Sequence, residues 1–239
     1  MRMKMRLDAK WTVAVLGMLA VGVLGQAATV PIYTRGNVLV GANFNDGPGS
    51  SDMTLIMRLH SGTKVYVDEG APVKYVHDPD NKDVKPGWTK IEYDDKAWKD
   101  GESGVGFSDG DDNTDVGGGR ISIWTRYKPF DIADASTIKE LILLADYDDQ
   151  YAAWLNGVQV ASSNPALAPA DKEPAWNASQ GGAGNRGSCE MVKGKPNKDR
   201  WNCARVVKTT IDFKFAGPSA LAVEPQGKMA ALWGGIKRR

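Results

Sequence analysis

The stretch LILLADYDDQYAAWLNGVQVA, from Leu141 to Ala161, decides the fold class. Leu141 to Tyr147 is a mostly apolar run of strand length. Tyr151–Leu155 and Val158–Ala161 flank Asn156-Gly157, the pair that supplies the positive φ angles of a two-residue type I′ turn. The reading is a β-hairpin entered from a preceding strand. Downstream, Arg205 to Phe215 alternates strictly: Val207, Thr209, Ile211, Phe213 and Phe215 fall on one face, and Lys208, Thr210, Asp212 and Lys214 on the other. Such a period of two belongs to a strand with one buried face. Upstream, Ile121–Phe130 reads as another strand, with weaker candidates at Val38–Phe44, Thr54–Leu59, Lys64–Val67, Thr89–Glu92, Leu221–Val223 and Met229–Leu232. Almost nothing after residue 30 reads as helix, and Gly, Asn, Asp and Pro punctuate the segments. About eight or nine short strands separated by turn signals predict an all-β, antiparallel β-sandwich with long loops.

A chain of 239 residues, 42% hydrophobic and 25% charged, is long enough to bury a core and too apolar for wholesale disorder. Thirty basic against 29 acidic side chains leave a net charge of +1, which is no electrostatic footprint for nucleic acid. Two His (His60 and His77) and two Cys match no zinc-site spacing. Residues 1–27 read as a signal peptide. Arg2, Lys4, Arg6 and Lys10 precede the apolar run Trp11–Gly25, and small residues surround a cleavage point near Ala27. That run is shorter than the roughly 20 residues a membrane span needs, so cleavage is expected, with no membrane span afterwards. The expected destination is secreted, periplasmic or cell-surface. There, Cys189 and Cys203, the only pair, are expected to form a disulfide.

Two blocks carry a resemblance. GWTKIEYDDKAWKDG runs from Gly87 to Gly101 and is followed by Gly104-Val-Gly106-Phe; DYDDQYAAWLNGVQV runs from Asp146 to Val160. This order of Trp…Asp-Asp-x-x-Trp…Gly-x-Gly and then Asp-Asp…Leu-Asn-Gly resembles galactose-binding-like jelly-roll domains of secreted bacterial multidomain proteins. It is more distantly similar to the sugar-binding domains of β-galactosidase-type glycoside hydrolases. The likeness covers residues 62–161 and extends more loosely to 225. It implies a jelly roll with an extracytoplasmic accessory role and names no ligand; the Leu-Asn-Gly hairpin is scaffold in such hydrolases. The tail from Val223 to Gly234 also resembles the ends of such bacterial proteins. The expected organisation is a signal peptide (1–27), an N-terminal extension or first strands (28–61), the sandwich with a long loop at about 162–203 (62–225), and a C-terminal tail (226–239). Trp88 and Trp98 are expected to pack at the sandwich edge, Asp94-Asp95 to cap their turn, and Gly104 and Gly106 to permit a bulge or close backbone approach.

The candidate chemistry is binding. Asp109, Asp111, Asp112, Asn113, Thr114 and Asp115 offer the hard oxygen atoms that Ca²⁺ prefers. The run departs from an EF-hand loop, and a solvated acidic loop is the plainer alternative. Asp146, Asp148 and Asp149 form a second acidic group, open to ligand or turn-capping roles. A glycan stacks its apolar faces on aromatic rings, and Trp176 and Trp201 in the long polar loop are the expected platform. Tyr151 and Trp154 are further candidates, each with sandwich core as the plainer alternative, and Arg126 is a donor to a hydroxyl or a partner for an Asp. No Gly-x-Ser-x-Gly elbow, His-Glu-x-x-His or phosphate loop is present, so no enzymatic activity is expected. The sequence therefore points to a non-catalytic carbohydrate-binding module for a glycan or polysaccharide, with calcium support. The alternatives are a structural or adhesive module binding another surface protein and an accessory domain of a glycoside hydrolase system.

Overall fold

The structure, a computed structural model, describes residues 28–45, 52–77, 84–108, 110, 112–119, 122–164, 166–175, 189 and 199–220. The strands in chain order are β1 (Val30–Tyr33), β2 (Leu39–Phe44), β3 (Met53–His60), β4 (Val65–Val67), β5 (Pro72–His77), β6 (Lys99–Glu102) and β7 (Val105–Phe107). They continue with β8 (Thr114–Asp115), β9 (Ser122–Tyr127), β10 (Ile142–Asp148), β11 (Gln150–Leu155), β12 (Val158–Ser162), β13 (Val207–Thr210) and β14 (Phe213–Gly217). The only helical elements among the described residues are single 3-10 turns at Ala135–Thr137 and Arg200–Asn202.

These strands build the expected β-sandwich. Sheet I has the order β12-β11-β2-β9-β5-β6, and all of its neighbours are antiparallel. Sheet II has the order β13-β10-β3-β7-β8, with β4 also on β3; only β7 and β8 run parallel. β1 and β14 form a separate parallel ribbon. β2 lies in the middle of sheet I and β3 in the middle of sheet II, so these two strands of the 28–61 stretch are integral to the sandwich.

Alternation assigns each side chain to a layer. Leu39, Ile123, Tyr127, Tyr151, Ala153 and Leu155 of sheet I meet Leu55, Met57, Leu59, Val105, Leu143 and Ala145 of sheet II in the inter-sheet core. The opposite face of sheet I is also buried. Val40, Ala42, Phe44, Trp124 and Trp154 form a second core with Trp88, Trp98 and Leu167. Trp88 packs edge-on against Trp124 at 4.6 Å and Trp154 at 5.0 Å, a favoured aromatic geometry. Trp88 and Trp98 are thus structural, but they cover the outer face of sheet I and not its edge. The segment around them is turn, so Thr89–Glu92 is not a strand.

Local signals account for the turns. Asn156 and Gly157 adopt φ of 53° and 83°, the expected type I′ signature. The Asn156 carboxamide accepts from the Val38 N–H at 2.8 Å and donates to Pro31 O at 2.7 Å, anchoring the hairpin tip to the start of β2. Asp94 accepts from the Lys96 N–H at 3.2 Å, the expected Asx turn. A Cβ on Gly106 would run into the Met53 carbonyl oxygen, so this glycine permits close backbone approach. The long alternating run 205–215 divides: β13 joins sheet II, β14 joins β1, and Ile211-Asp212 lies between them. The candidates Leu221–Val223 and Met229–Leu232, like the segment 1–27 expected to be a signal peptide, lie outside the described residues.

Candidate ligand groove

The aromatic residues expected to front a ligand are mostly core. Tyr151 is 1% exposed and Trp154 3%, the first in the inter-sheet core and the second against Trp88. Burial pushes the Tyr151 hydroxyl pKa well above the ordinary tyrosine value, so it stays protonated. Arg126, 3% exposed, points under the 84–98 segment, where it donates to the carbonyls of Trp88 (3.1 Å) and Ile91 (2.7 Å) and pairs with Asp95 at 3.0 Å. Ligand contact by these three gives way to the alternatives: Tyr151 and Trp154 are core, on the inner and outer faces of sheet I, and Arg126 is a partner for an Asp. Trp201 is half-buried with the Arg58 guanidinium 4.7 Å from its ring centre, and Arg58 is held bidentately by Asp68. Trp176 lies outside the described residues.

In the acidic segment, each described side chain has an internal partner. Asp112 accepts from the Thr54 hydroxyl at 3.1 Å, Asn113 donates to Ser103 O at 2.7 Å, and Asp115 accepts from the Gly117 N–H at 2.7 Å. Thr114 bridges both backbone groups of Glu102. Asp109 and Asp111 lie outside the described residues. Among those described, no group of three His, Cys, Asp or Glu side chains is arranged to hold a metal ion. Of the second acidic group, Asp146 is bound to Arg200 at 2.6 Å and receives the Cys189 N–H, while Asp148 and Asp149 are buried at the corner from β10 to β11. Cys189 and Cys203 are joined in a disulfide.

The residues that do line an open concavity are others. β3 ends at His60, and the turn 61–64 brings the chain back into β4. The Ser61 N–H donates to Lys64 O at 2.9 Å, and Gly62 adopts φ of 78°. The exposed Glu140 carboxylate lies beside this turn, 2.9 Å from where a Cβ on Gly62 would sit. Tyr66 is positioned from below by stacking on Phe130 at 5.9 Å, and its hydroxyl meets Ser61 Oγ at 3.2 Å. The segment 132–140 lies across from it. There the Asp134 carboxylate caps the 3-10 turn, accepting from the Ser136 N–H at 3.0 Å. The groove between them measures about 980 Å³ and carries the hydroxyls of Ser61, Thr63 and Thr137, the ammonium groups of Lys64 and Lys139, and Glu140. Lys64 Nζ hovers 5.3 Å from the Tyr66 ring centre, a cation over an aromatic face. Nearby, burial together with Arg58 and Lys208 pulls the His60 pKa below the usual 6.5, against the opposing pull of Glu140 and Asp68. An aromatic ring among hydroxyls and charged groups suits a ligand with both apolar faces and many hydroxyls.

Sequence reasoning passed over this groove because Tyr66 lies in a three-residue strand with no aromatic neighbour in the chain. The available signal was Ser61-Gly-Thr, a small polar turn between two strands. Compared with known proteins, the chain has no significant match to any family, curated protein or solved structure.

Proposed function

We propose that this chain is an exported, non-catalytic carbohydrate-binding module with jelly-roll winding, and that it binds its glycan in the Tyr66 groove. The observation that carries the proposal is the composition of that groove: one aromatic ring, three hydroxyls, two ammonium groups and an accessible carboxylate around a volume of about 980 Å³. That volume falls near the top of the roughly 300–1,000 Å³ range typical of small-molecule clefts. The non-catalytic part of the reading is supported by Asp134. Its carboxylate is committed to its own turn, whereas a glycosidase needs two carboxylates facing each other across the bond to be cleaved. Export is supported by the amino-terminal pattern, and the disulfide is compatible with an oxidising compartment. Calcium belongs to the proposal as a structural ion of the 109–115 segment, supported by its oxygen-rich composition alone. Bound calcium would show itself as a lower melting temperature on chelation.

The test is a polysaccharide-retention and glycan-array screen of the exported chain. One or more glycans are retained, and Tyr66→Ala weakens that retention about tenfold or more, equivalent to about 1.4 kcal/mol. Glu140→Gln weakens it too, whereas Trp154→Phe, a change inside the core, leaves it alone. A folded chain that retains no glycan, or Tyr66→Ala with undiminished retention, would sink the proposal.

A further inference from the structure

The open edges of the two sheets differ in character. β6 displays Lys99, Asp100 and Glu102, and charge of this kind is the ordinary protection of an edge strand. In sheet II, β13 carries Lys208 and the two-residue β8 carries Asp115. β12, Val-Gln-Val-Ala-Ser, has neither charge nor proline, and no strand among the described residues pairs with its outer side. All five of its residues are nevertheless half-buried, because the strand lies along a second groove of about 1300 Å³. The segments 86–90 and 170–173 also line that groove, with Lys90 and Lys172 balanced by Asp171 and Glu173 among their side chains.

We propose that this groove receives an extended peptide segment of a partner protein, which adds to β12 as the next strand of sheet I. The hairpin register supports a backbone ligand. Leu155 faces Val158 next to the two-residue turn, which directs the Val158 backbone groups toward β11. Gln159, the next residue and opposite Trp154, then turns its N–H and C=O outward, and after a bulge at Val160 the register resumes with Ala161 opposite Ala153 and Ser162 opposite Ala152. Donors and acceptors in that array are met by another strand, the arrangement of β-augmentation. The Gln159 side chain supplies a second, independent sign: its Oε1 is shielded from solvent and has no hydrogen-bond partner among the described residues. A buried acceptor without a donor is costly unless something outside the fold supplies the donor. The recess also selects the occupant. A second copy of this chain would bring its own β12 flanked by the same 86–90 and 170–173 segments, and two edges so flanked do not reach each other. A free extended segment has no walls and fits. With Val158, Val160 and the Trp154 ring in the lining, the chemistry favoured is a neutral segment with β-branched side chains.

The experiment titrates the full mature chain, isotopically labelled, with a synthetic peptide of alternating Val and Thr carrying one lysine at each end. A twin peptide, N-methylated at every second residue, serves as control. Saturable shifts centred on the Gln159–Ser162 amides are expected, with slowed hydrogen exchange there, and the twin should bind about tenfold or more weakly. Gln159→Pro deletes the outward N–H and should cost about tenfold or more in affinity. Gln159→Lys places a guarding charge on the edge and should do the same if the proline variant does not fold. Equal binding of the two peptides, shifts centred elsewhere, or no binding at roughly millimolar peptide overturns the proposal. A concentration-dependent dimer abolished by Gln159→Lys also overturns it, by making a second copy the occupant. Glycan retention through Tyr66 is a separate readout, so failure of either proposal leaves the other standing.

Discussion

Arg126 separates scaffold chemistry from site chemistry at the level of one side chain. Lying between Trp124 and Tyr127 in sequence, it resembles a polar residue on a binding face; in the fold it closes the 84–98 segment over sheet I. Its partners are two backbone carbonyls and a carboxylate some thirty residues away, and nothing local announces such contacts. Removing Arg126 leaves two covered carbonyls and the partly exposed Asp95 carboxylate without their donor, and each buried group so stranded costs about 1–3 kcal/mol. Arg126→Ala should therefore lower stability by about 3 kcal/mol in urea denaturation, and Arg126→Lys should recover little, because one ammonium does not span three acceptors in a fixed fork. Glycan retention by the surviving folded protein should not change. His60 makes a different prediction. Its pKa is held below 6.5 in the folded state, chiefly by burial and then by Arg58 and Lys208. Its neutral form is thus favoured by folding, so stability is full above pH 6.5 and declines as pH falls from there through the lowered folded-state value. Comparing melting temperatures of the wild type and His60→Gln between pH 7 and pH 5 should show a smaller acid loss in the variant.

Whole elements were legible where the local rule and the tertiary demand coincide. The hairpin 150–162 is the best case, because Asn-Gly chemistry, alternation and loop length all name the same structure. Gly157→Ala should cost about 1–2 kcal/mol through the left-handed backbone alone. Asn156→Ala should cost more, about 2–3 kcal/mol, since it also abandons the bonds to Val38, Pro31 and Asn37. Thermal unfolding of the two variants tests that order, and an Asn156→Ala variant as stable as Gly157→Ala would contradict the anchoring role. The run 205–215 shows where legibility stops. Its alternation correctly marks strand, and Val207, Thr209, Ile211 and Phe213 are all more buried than the residues between them. The division at Ile211-Asp212 leaves no trace in the pattern, because it arises from pairing: β10 takes the first half, and β1 takes the second after the Asp212 carbonyl accepts the Val30 N–H at 2.9 Å. Phe215, beyond that break, stays 49% exposed.

For the whole molecule, the question is what holds the cysteine-bearing segment to a sandwich whose cores lie elsewhere. Two ties act on it, and one of them lands on β10. The disulfide joins Cys189 to Cys203 across a sequence separation of 14, a loop for which the chain-entropy model gives about 3 kcal/mol. Beside it, the fully buried Asp146 carboxylate takes the Arg200 guanidinium at 2.6 Å and the Cys189 N–H at 3.1 and 3.2 Å. Arg200 also reaches Glu69 at 3.4 Å, linking the segment to the turn before β5. Sequence alone suggested the disulfide from the compartment and the cysteine count, but not the carboxylate beneath it: Asp146 looked like one acidic residue among several. Cys189→Ser with Cys203→Ser should lower stability by about 3 kcal/mol, and Asp146→Asn by a similar amount. The ties share Cys189 and the same stretch of chain, so their losses should not add. Once the disulfide is gone, the segment can leave the surface and Asp146 has less to lose. A double-mutant cycle in urea should show a combined loss smaller than the summed single losses by on the order of 1 kcal/mol. Strict additivity would mean that the disulfide and the buried ion pair hold independent parts of the molecule, contrary to the contact between the Cys189 N–H and Asp146.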